Sequence, residues 1–457
     1  MNQKHIRYYH AFAVLLPLIL FTWVRSGRGM PERWMFLGGA VYYLVFLLCH
    51  RDRKAWFVRL IKDPFLYLGA GFCVLLGLQL WNSGRELVFN QQLWEWEYGP
   101  PPHAGWPSAI TAMEAQQWLF VALWIVSMIC VVRSLRFSVH QYRVMGRILL
   151  GNAILLFGLG MAQYVTGTQK QYWFHPLPGN FFSVFGYPNH AAAYFVLMFG
   201  VAFGFVTESL KRGMTQGQWR AGRLLFYGAA VICCALGAVL SLSRAGMLLV
   251  TAEIVFGVGY LLVVTLRGLT PTARINAVLV LGIVLLVFGA GLYGLGREKI
   301  GKELKKAYQE LSITRLKNPP PKSLTGIRYP FWIASYRIWK DYPWTGCGSW
   351  GFRYLKKLYI PRDRWITKKG YANVHLDGLQ FLAEYGVVGF GLLLAGAGVL
   401  LWRAFGWPFW FDPLYLFVFM GLGAVLTHSV IDLPFRCPAI SGHWLLIAAI
   451  FGQMRKH

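Results

Sequence analysis

The chain has 457 residues, 56% of them hydrophobic and 14% charged, with a formal net charge of +27. Ordinary soluble domains carry about 25% charged residues, and apolar runs recur here along the whole length, so the composition excludes a large soluble core and points to a protein that spans a membrane. A basic excess of this size can serve nucleic acid, but the Lys and Arg residues are scattered between apolar runs, as in the loops of a membrane protein, and nucleic acid is not an expected partner.

The first apolar run, 10–24, resembles the core of a secretory signal. Arg25, Ser26, Gly27 and Arg28 follow it instead of a small-residue cleavage site, so it reads as a retained span. Further runs at 35–49, 65–81, 116–132, 146–164, 190–206, 224–242, 245–266, 277–295, 386–402, 413–431 and 441–453 bring the expected total to about twelve. Several fall short of the roughly 20 residues that a bilayer core requires; these borrow flanking aromatics or sit where the bilayer thins. The chain thus divides into a bundle over 1–295 (spans one to nine), a long polar segment over 296–385 and a second bundle over 386–457 (spans ten to twelve).

Basic residues orient this arrangement. With the N-terminus inside and the spans alternating, the inner loops hold 20 of the 45 Lys and Arg residues and the short outer loops hold 7. The positive-inside rule then puts both termini in the cytoplasm. The other 18 lie in 296–385, which carries a net charge of +11 and falls outside; long loops translocate largely regardless of charge. A loop of that length is not a passive linker. Residues 297–317 are rich in Lys and Glu and predict a helix, which the Asn318-Pro319-Pro320-Pro321 run ends. Thr325 to Lys340 predicts a second helix, with Arg328, Trp332, Ser335 and Trp339 at helical spacing and enough aromatics for a membrane interface. Gly346, Gly348 and Gly351 mark a turn. Asn373 to Tyr385 predicts a third helix with His375, Leu379 and Leu382 on one face and Gly386 near its end. A second outer loop, 82–115, carries Trp94, Trp96 and three consecutive prolines.

Five of the seven cysteines lie in or beside apolar runs and read as small core residues. Cys347 and Cys437 fall on outer segments, where a disulfide between them is open. Glu253, inside the eighth span, calls for a buried donor as its partner.

Three residues on the outer face are candidates for chemistry. Arg244 follows Ser243 at a tight turn between two spans. It reads either as an arginine reaching the interface or as an anion site, since its planar fork of donors suits a phosphate. Arg328 opens the aromatic helix, where it is one of many basic residues. His375 lacks the second histidine that a zinc site would need, and by itself it reads as structural or as a general base. Together on one face of the membrane, the three suggest a site. Glu95 and Glu97 form an acidic pair in the outer loop and would serve a rival, metal-dependent mechanism, although Trp94 and Trp96 also fit an interfacial stretch.

Three stretches carry a resemblance. Ser243-Arg244-Ala245-Gly246 is similar to the short Ser-Arg-Gly/Ala turn of the O-antigen ligase and polymerase superfamily. Arg328-Tyr-Pro-Phe-Trp332, followed by Asp341-Tyr-Pro343-Trp-Thr-Gly346-Cys-Gly348, is similar to its pattern of Arg, Trp, then Pro-x-x-Gly-x-Gly. His375-Leu-Asp377-Gly-Leu379-Gln380-Phe-Leu-Ala-Glu384-Tyr-Gly386 is similar to His-Asn-Asp-Tyr-Leu-Gln followed by Glu-x-Gly. Asn189-His190 and His428-Ser-Val-Ile-Asp432-Leu-Pro434 agree with it, and the set runs in the family's order from about 180 to 440. Leu376 and Asn373 depart from the pattern, where members usually have Asn and many have His.

The resemblance implies an all-α, GT-C-like transferase of the bacterial inner membrane with one large periplasmic loop and a periplasmic active site. It would take a glycan from undecaprenyl diphosphate and join it to lipid A core, in a ligase, or to another lipid-linked glycan, in a polymerase. The basic outer segment suits an acidic acceptor such as phosphorylated lipid A core, which favours the ligase. Arg244 and Arg328 would hold the diphosphate and stabilise its developing charge. His375 would take the proton of the acceptor hydroxyl. Asn189, His190, Glu384 and Asp432 would bind substrate or orient these groups. Without an Asp-x-Asp sequence or a histidine pair, no metal and no cofactor are expected. A transporter of lipid-linked sugars is the alternative from another class, but transporters tend to show repeats and midplane charges. A scaffold of an envelope assembly is a third.

Overall fold

The computed structural model describes residues 3–24, 32–50, 52–91, 95–135, 137–177, 180–268, 282, 301, 324–360, 372–405 and 412–454. The expected ninth span, 277–295, the helix at 297–317 and the proline run after it lie outside the described residues, apart from the single positions 282 and 301.

The described chain is mostly helical. The helices are α1 (Gln3–Trp23), α2 (Arg33–Leu48), α3 (Arg53–Ile61), α4 (Pro64–Trp81), α5 (Ala112–Ser134), α6 (Val139–Val165), α7 (Pro188–Gln216), α8 (Ala221–Leu240), α9 (Arg244–Gly268), α10 (Leu324–Asp341), α11 (Gly351–Tyr359), α12 (Asp377–Phe405), α13 (Pro413–Ser429) and α14 (Pro438–Met454). Seven of these, α4 to α9 and α12, are long and apolar enough to cross a membrane, and α1, α2, α13 and α14 contain shorter apolar stretches. The eleven expected spans within the described residues all coincide with helices. Among the described residues the strands form two antiparallel hairpins, β1 (Leu87–Asn90) with β2 (Glu95–Tyr98) and β3 (Lys170–Gln171) with β4 (His175–Pro176).

Local signals start and stop these helices. Asp63 caps α4 by accepting from Phe65 N at 3.0 Å, with Pro64 in the first turn, where its missing N–H costs nothing. The same carboxylate takes both Nε and Nη2 of Arg133 at 2.7 Å, tying the start of α4 to the end of α5. Ser138 and Gln141 form a reciprocal capping box at α6. Asp412 and Pro413 repeat the first pattern at α13.

Helix α7 is the axis of the bundle; 94% of its apolar window is buried. It meets α13 through Gly200 and Gly204, spaced four apart, and Gly421 opposite them. A Cβ on Gly200 would lie 2.6 Å from Phe417 O, so the backbones touch and no larger residue fits. Glu253 of α9 is buried, and neither of its oxygens finds a hydrogen-bond partner among the described residues. The expected buried donor is not found among the described residues.

The helices alternate in direction, and their ends form two layers. One holds the starts of α5, α7, α9, α12 and α14. The other holds the Asp63–Arg133 pair, the end of α7 and the end of α12, where Gly452 of α14 packs on Arg403 and Ala404. In the first layer α10 and α11 close a small core of their own around Ile110, Ile338, Cys347 and Phe352. The 82–111 loop is stitched to it: Arg85 donates to Ser108 Oγ at 2.8 Å and to the Tyr342 hydroxyl at 3.2 Å. Cys347 and Cys437 are both buried and do not form the disulfide left open above.

The third helix of the long segment ends at Gly386, as expected: its φ of 64° is non-helical, and the tenth span continues α12 on the far side of that break. Pro343 to Gly348 threads through that break. Cys347 N and Gly348 N donate to Ala383 O and Glu384 O, both at 2.9 Å, and Val387 N and Val388 N donate to Pro343 O and Trp344 O at 2.8 and 3.0 Å. A Cβ at Gly346 would stand 2.2 Å from the Glu384 carbonyl carbon, and one at Gly386 would stand 2.3 Å from that of Trp344. The glycines of this motif are thus the condition for docking the loop into the broken helix.

Candidate functional site

Four side chains from three elements converge on the carboxylate of Asp432, in the turn between α13 and α14. From the residue capping α7, the Tyr187 hydroxyl donates to it at 2.9 Å. Asn189 Nδ2, in the first turn of α7, donates to the same carboxylate and to the Tyr187 oxygen, the latter at 2.9 Å. From α10, Arg328 Nη2 donates at 3.2 Å while its Nη1 donates to Ile431 O at 2.5 Å. From the strand of chain before α12, His375 Nδ1 approaches Asp432 Oδ1 at 3.4 Å. The carboxylate is 1% exposed, and buried charges of this kind persist only when paired and hydrogen-bonded.

Backbone contacts lock the turn beneath. Asp377 N donates to Asp432 O at 3.2 Å, Leu433 N to Asp432 Oδ1 at 2.9 Å and Phe435 N to Asp377 Oδ2 at 2.9 Å. His190 Nε2 lies 2.9 Å from Leu433 O. His375 itself adopts a left-handed φ of 59°. A non-glycine residue held there costs about 1–3 kcal/mol and persists only where its surroundings impose it; the helix start at Asp377 and the Asp432 contact supply that constraint.

Electrostatics follow from this packing. Burial alone would raise the Asp432 carboxyl, but the His375 hydrogen bond and the Arg328 charge outweigh it and hold the group well below the usual carboxylate range. Burial, and after it the charge of Asp432, push the Tyr187 phenol well above its ordinary range, so it stays protonated and donates.

Arg328, His375, Asn189 and Asp432, chosen from the sequence, thus stand in one hydrogen-bonded cluster, with His190 beside it. Arg244 opens α9 at the same end of the bundle. Its neighbour Gly246 packs on Ala192, one turn below Asn189; a Cβ there would come within 2.3 Å of the Ala192 methyl. Glu384 stands apart. It is fully buried, accepting from Gln380 Nε2 at 2.9 Å and Trp350 N at 3.0 Å and pairing with Arg436, whose guanidinium lies 5.1–5.5 Å from the ring centroids of Phe381, Trp118 and Trp350. This second network braces the Gly386 break and is separate from the Asp432 cluster. Asn373 joins it, accepting from Gln380 Nε2 at 3.2 Å.

Tyr187 was missed by sequence reasoning; its one signal is its place directly before Pro188-Asn189-His190 at a helix start. Arg436 was seen only as one of the outer basic residues. Among the described residues, no group of three or more His, Cys, Asp or Glu side chains is placed to hold a metal ion. Glu95 and Glu97 fall two apart on β2.

The fold and the cluster define a polytopic helical membrane protein with an arginine–histidine–carboxylate site at one end of its bundle. Residues 229–394 match the family model described as O-antigen ligase, so this part of the chain is similar to the O-antigen ligase superfamily, which suggests glycan transfer of ligase or polymerase type. The matched stretch contains Arg244, Arg328, His375 and Glu384, whereas Tyr187, Asn189, His190 and Asp432 lie beyond its ends. No curated protein matches the chain.

Proposed function

We propose that this protein transfers a glycan from undecaprenyl diphosphate to lipid A core at the periplasmic face of the bacterial inner membrane. The observation that carries the reading is the Asp432 carboxylate, which gathers a guanidinium and an imidazole at one bundle end. With Nδ1 directed to the carboxylate, Nε2 is the ring nitrogen that serves as base, as in other carboxylate-oriented histidines. The acceptor hydroxyl gives its proton to Nε2 as its oxygen bonds to the anomeric carbon of the donor glycan. The bond from that carbon to the diphosphate oxygen breaks, and undecaprenyl diphosphate leaves with the electron pair. Arg244 and Arg328 hold the departing diphosphate and neutralise its growing charge, which is work that fixed donors do without reorganising. Divalent metal is not part of this scheme. Asn189, His190 and Tyr187 keep the Asp432 turn in place, and Glu384 with Arg436 holds the framework behind it.

The basic character of the long segment favours a phosphorylated acceptor, hence the ligase over the polymerase. Deleting the gene and separating the surface glycans on a gel tests that choice. Loss of all capped lipopolysaccharide, with long polymer accumulating on the carrier, is the expected pattern; capping by a single repeat unit would make the enzyme a polymerase.

The same reading fixes an orientation, with twelve spans, both termini cytoplasmic and the Asp432 end outside. Single cysteines at Lys357, on α11, and at Lys211, near the end of α7, report it. A membrane-impermeant thiol reagent is expected to label position 357 in intact spheroplasts and position 211 only after lysis. The reverse pattern would put the site in the cytoplasm and rule out periplasmic transfer.

A further inference from the structure

A polar cavity lies at the far end of the bundle, and nothing in the proposed reaction uses it. It has a volume of about 270 Å³ and lies between the start of α6, the end of α7 and the start of α8. Glu208, in its wall, is 19 residues along α7 from Asn189. At 1.5 Å per residue that is about 28 Å, close to the thickness of a bilayer's hydrocarbon core. The cavity therefore sits at the second membrane interface.

Its walls carry Arg143, Arg147, Arg212, Arg220 and Arg223 against one carboxylate. Glu208 Oε1 accepts from Arg143 Nη2 at 2.5 Å and from Arg212 Nη2 at 3.0 Å, so one anion is shared between two guanidiniums. Arg143 Nε is buried without a hydrogen-bond partner among the described residues. Like charges brought this close repel unless an anion joins them. The start of α8 adds the positive end of a helix dipole, since the residue before it, Arg220, makes no side-chain cap. The turn that delivers these groups is built for the purpose: Gly217 adopts the left-handed conformation at the end of α7, and Trp219 folds back onto Gly213, where a Cβ would meet its ring at 2.7 Å. Trp219 and Leu225 are 58% and 74% exposed beside the arginines, the mixture of aromatic, apolar and basic surface found where a protein meets lipid headgroups.

We propose that this cavity binds the phosphate group of an anionic phospholipid at the interface opposite the Asp432 cluster. Guanidinium forks suit phosphate oxygens bidentately, and the exposed Trp219 and Leu225 select a phosphate that carries acyl chains over a free one. A basic residue near an anionic lipid surface contributes about fivefold in affinity, so losing three costs roughly a hundredfold.

The test reconstitutes the full chain in phosphatidylcholine vesicles with and without phosphatidylglycerol, and in phosphatidylcholine with inorganic phosphate at matched ionic strength. Thermal unfolding and the lipid retained on extraction are then read. The wild-type protein is expected to gain thermal stability and retain phosphatidylglycerol, and inorganic phosphate is expected to do little. The Arg147→Gln/Arg220→Gln/Arg223→Gln variant is expected to unfold at the wild-type temperature in phosphatidylcholine and to lose the phosphatidylglycerol response by roughly a hundredfold in lipid affinity. Should that variant misfold, Arg220→Gln/Arg223→Gln alters only exposed side chains and is expected to lose about 25-fold. An equal response of wild type and folded variant to phosphatidylglycerol would overturn the proposal, as would stabilisation by inorganic phosphate alone.

Discussion

Replacing His375 by alanine is expected to leave binding of undecaprenyl diphosphate nearly intact and to lower glycan transfer by about 10²–10⁴-fold, the usual range for a lost general base. The imidazole is held by Asp432 at 3.4 Å and by a left-handed backbone, so removing it takes away a positioned base without disturbing the helices that carry the arginines. Alanine also removes one of several donors to a carboxylate that keeps Arg328, Tyr187 and Asn189; the pocket therefore stays paired. His375→Gln preserves some hydrogen bonding but no basicity and is expected to be similarly slow. Donor binding and transfer measured on the same monodisperse preparations check this. A folded His375→Ala protein that transfers at the wild-type rate would return His375 to a structural role.

Arg328→Lys and Arg244→Lys are each expected to cut transfer by about 10²–10³-fold, equivalent to about 3–4 kcal/mol of lost stabilisation of the leaving diphosphate. The charge survives in both variants, but the fork does not. Arg328 spends Nη1 on Ile431 O and Nη2 on Asp432, and these bonds fix the plane in which its other N–H groups point. A lysine ammonium can keep one such bond and loses the plane. Unlike the His375 variants, these proteins are expected to bind undecaprenyl diphosphate more weakly, by a change seen in the binding measurement as well as in transfer. If lysine restores full activity at both positions, the arginines act only as diffuse charge.

Much of this arrangement is legible in the sequence. Long apolar runs carry their own evidence, because a span must satisfy its backbone internally and so must be a helix; all the expected spans within the described residues are helices. Arg328 and His375 were legible through motif order. Their meeting point was not. Asp432 is 104 residues from Arg328 and 57 from His375, and no periodicity encodes a contact at that separation. Tyr187 was hidden for the same reason, being marked only by the helix start it precedes. The resemblance put Glu384 among the residues that bind substrate or orient the site. The break at Gly386, held open by the Pro343–Gly348 loop, turns Glu384 inward to Arg436. That break separates the third loop helix from the tenth span, as the sequence reading has them. Glu253 was expected to have a donor on the principle that buried charges are paired, and among the described residues it has none.

The measurement closest to the central claim uses three purified components: the protein, an undecaprenyl-diphosphate-linked glycan and phosphorylated lipid A core, in excess EDTA. Acceptor carrying the glycan, resolved by gel and mass, is the expected product, formed without added metal and lost in His375→Ala. Transfer that stops in EDTA and returns with Mg²⁺ or Mn²⁺ would contradict the arginine-based site and favour a metal-dependent one at Glu95 and Glu97.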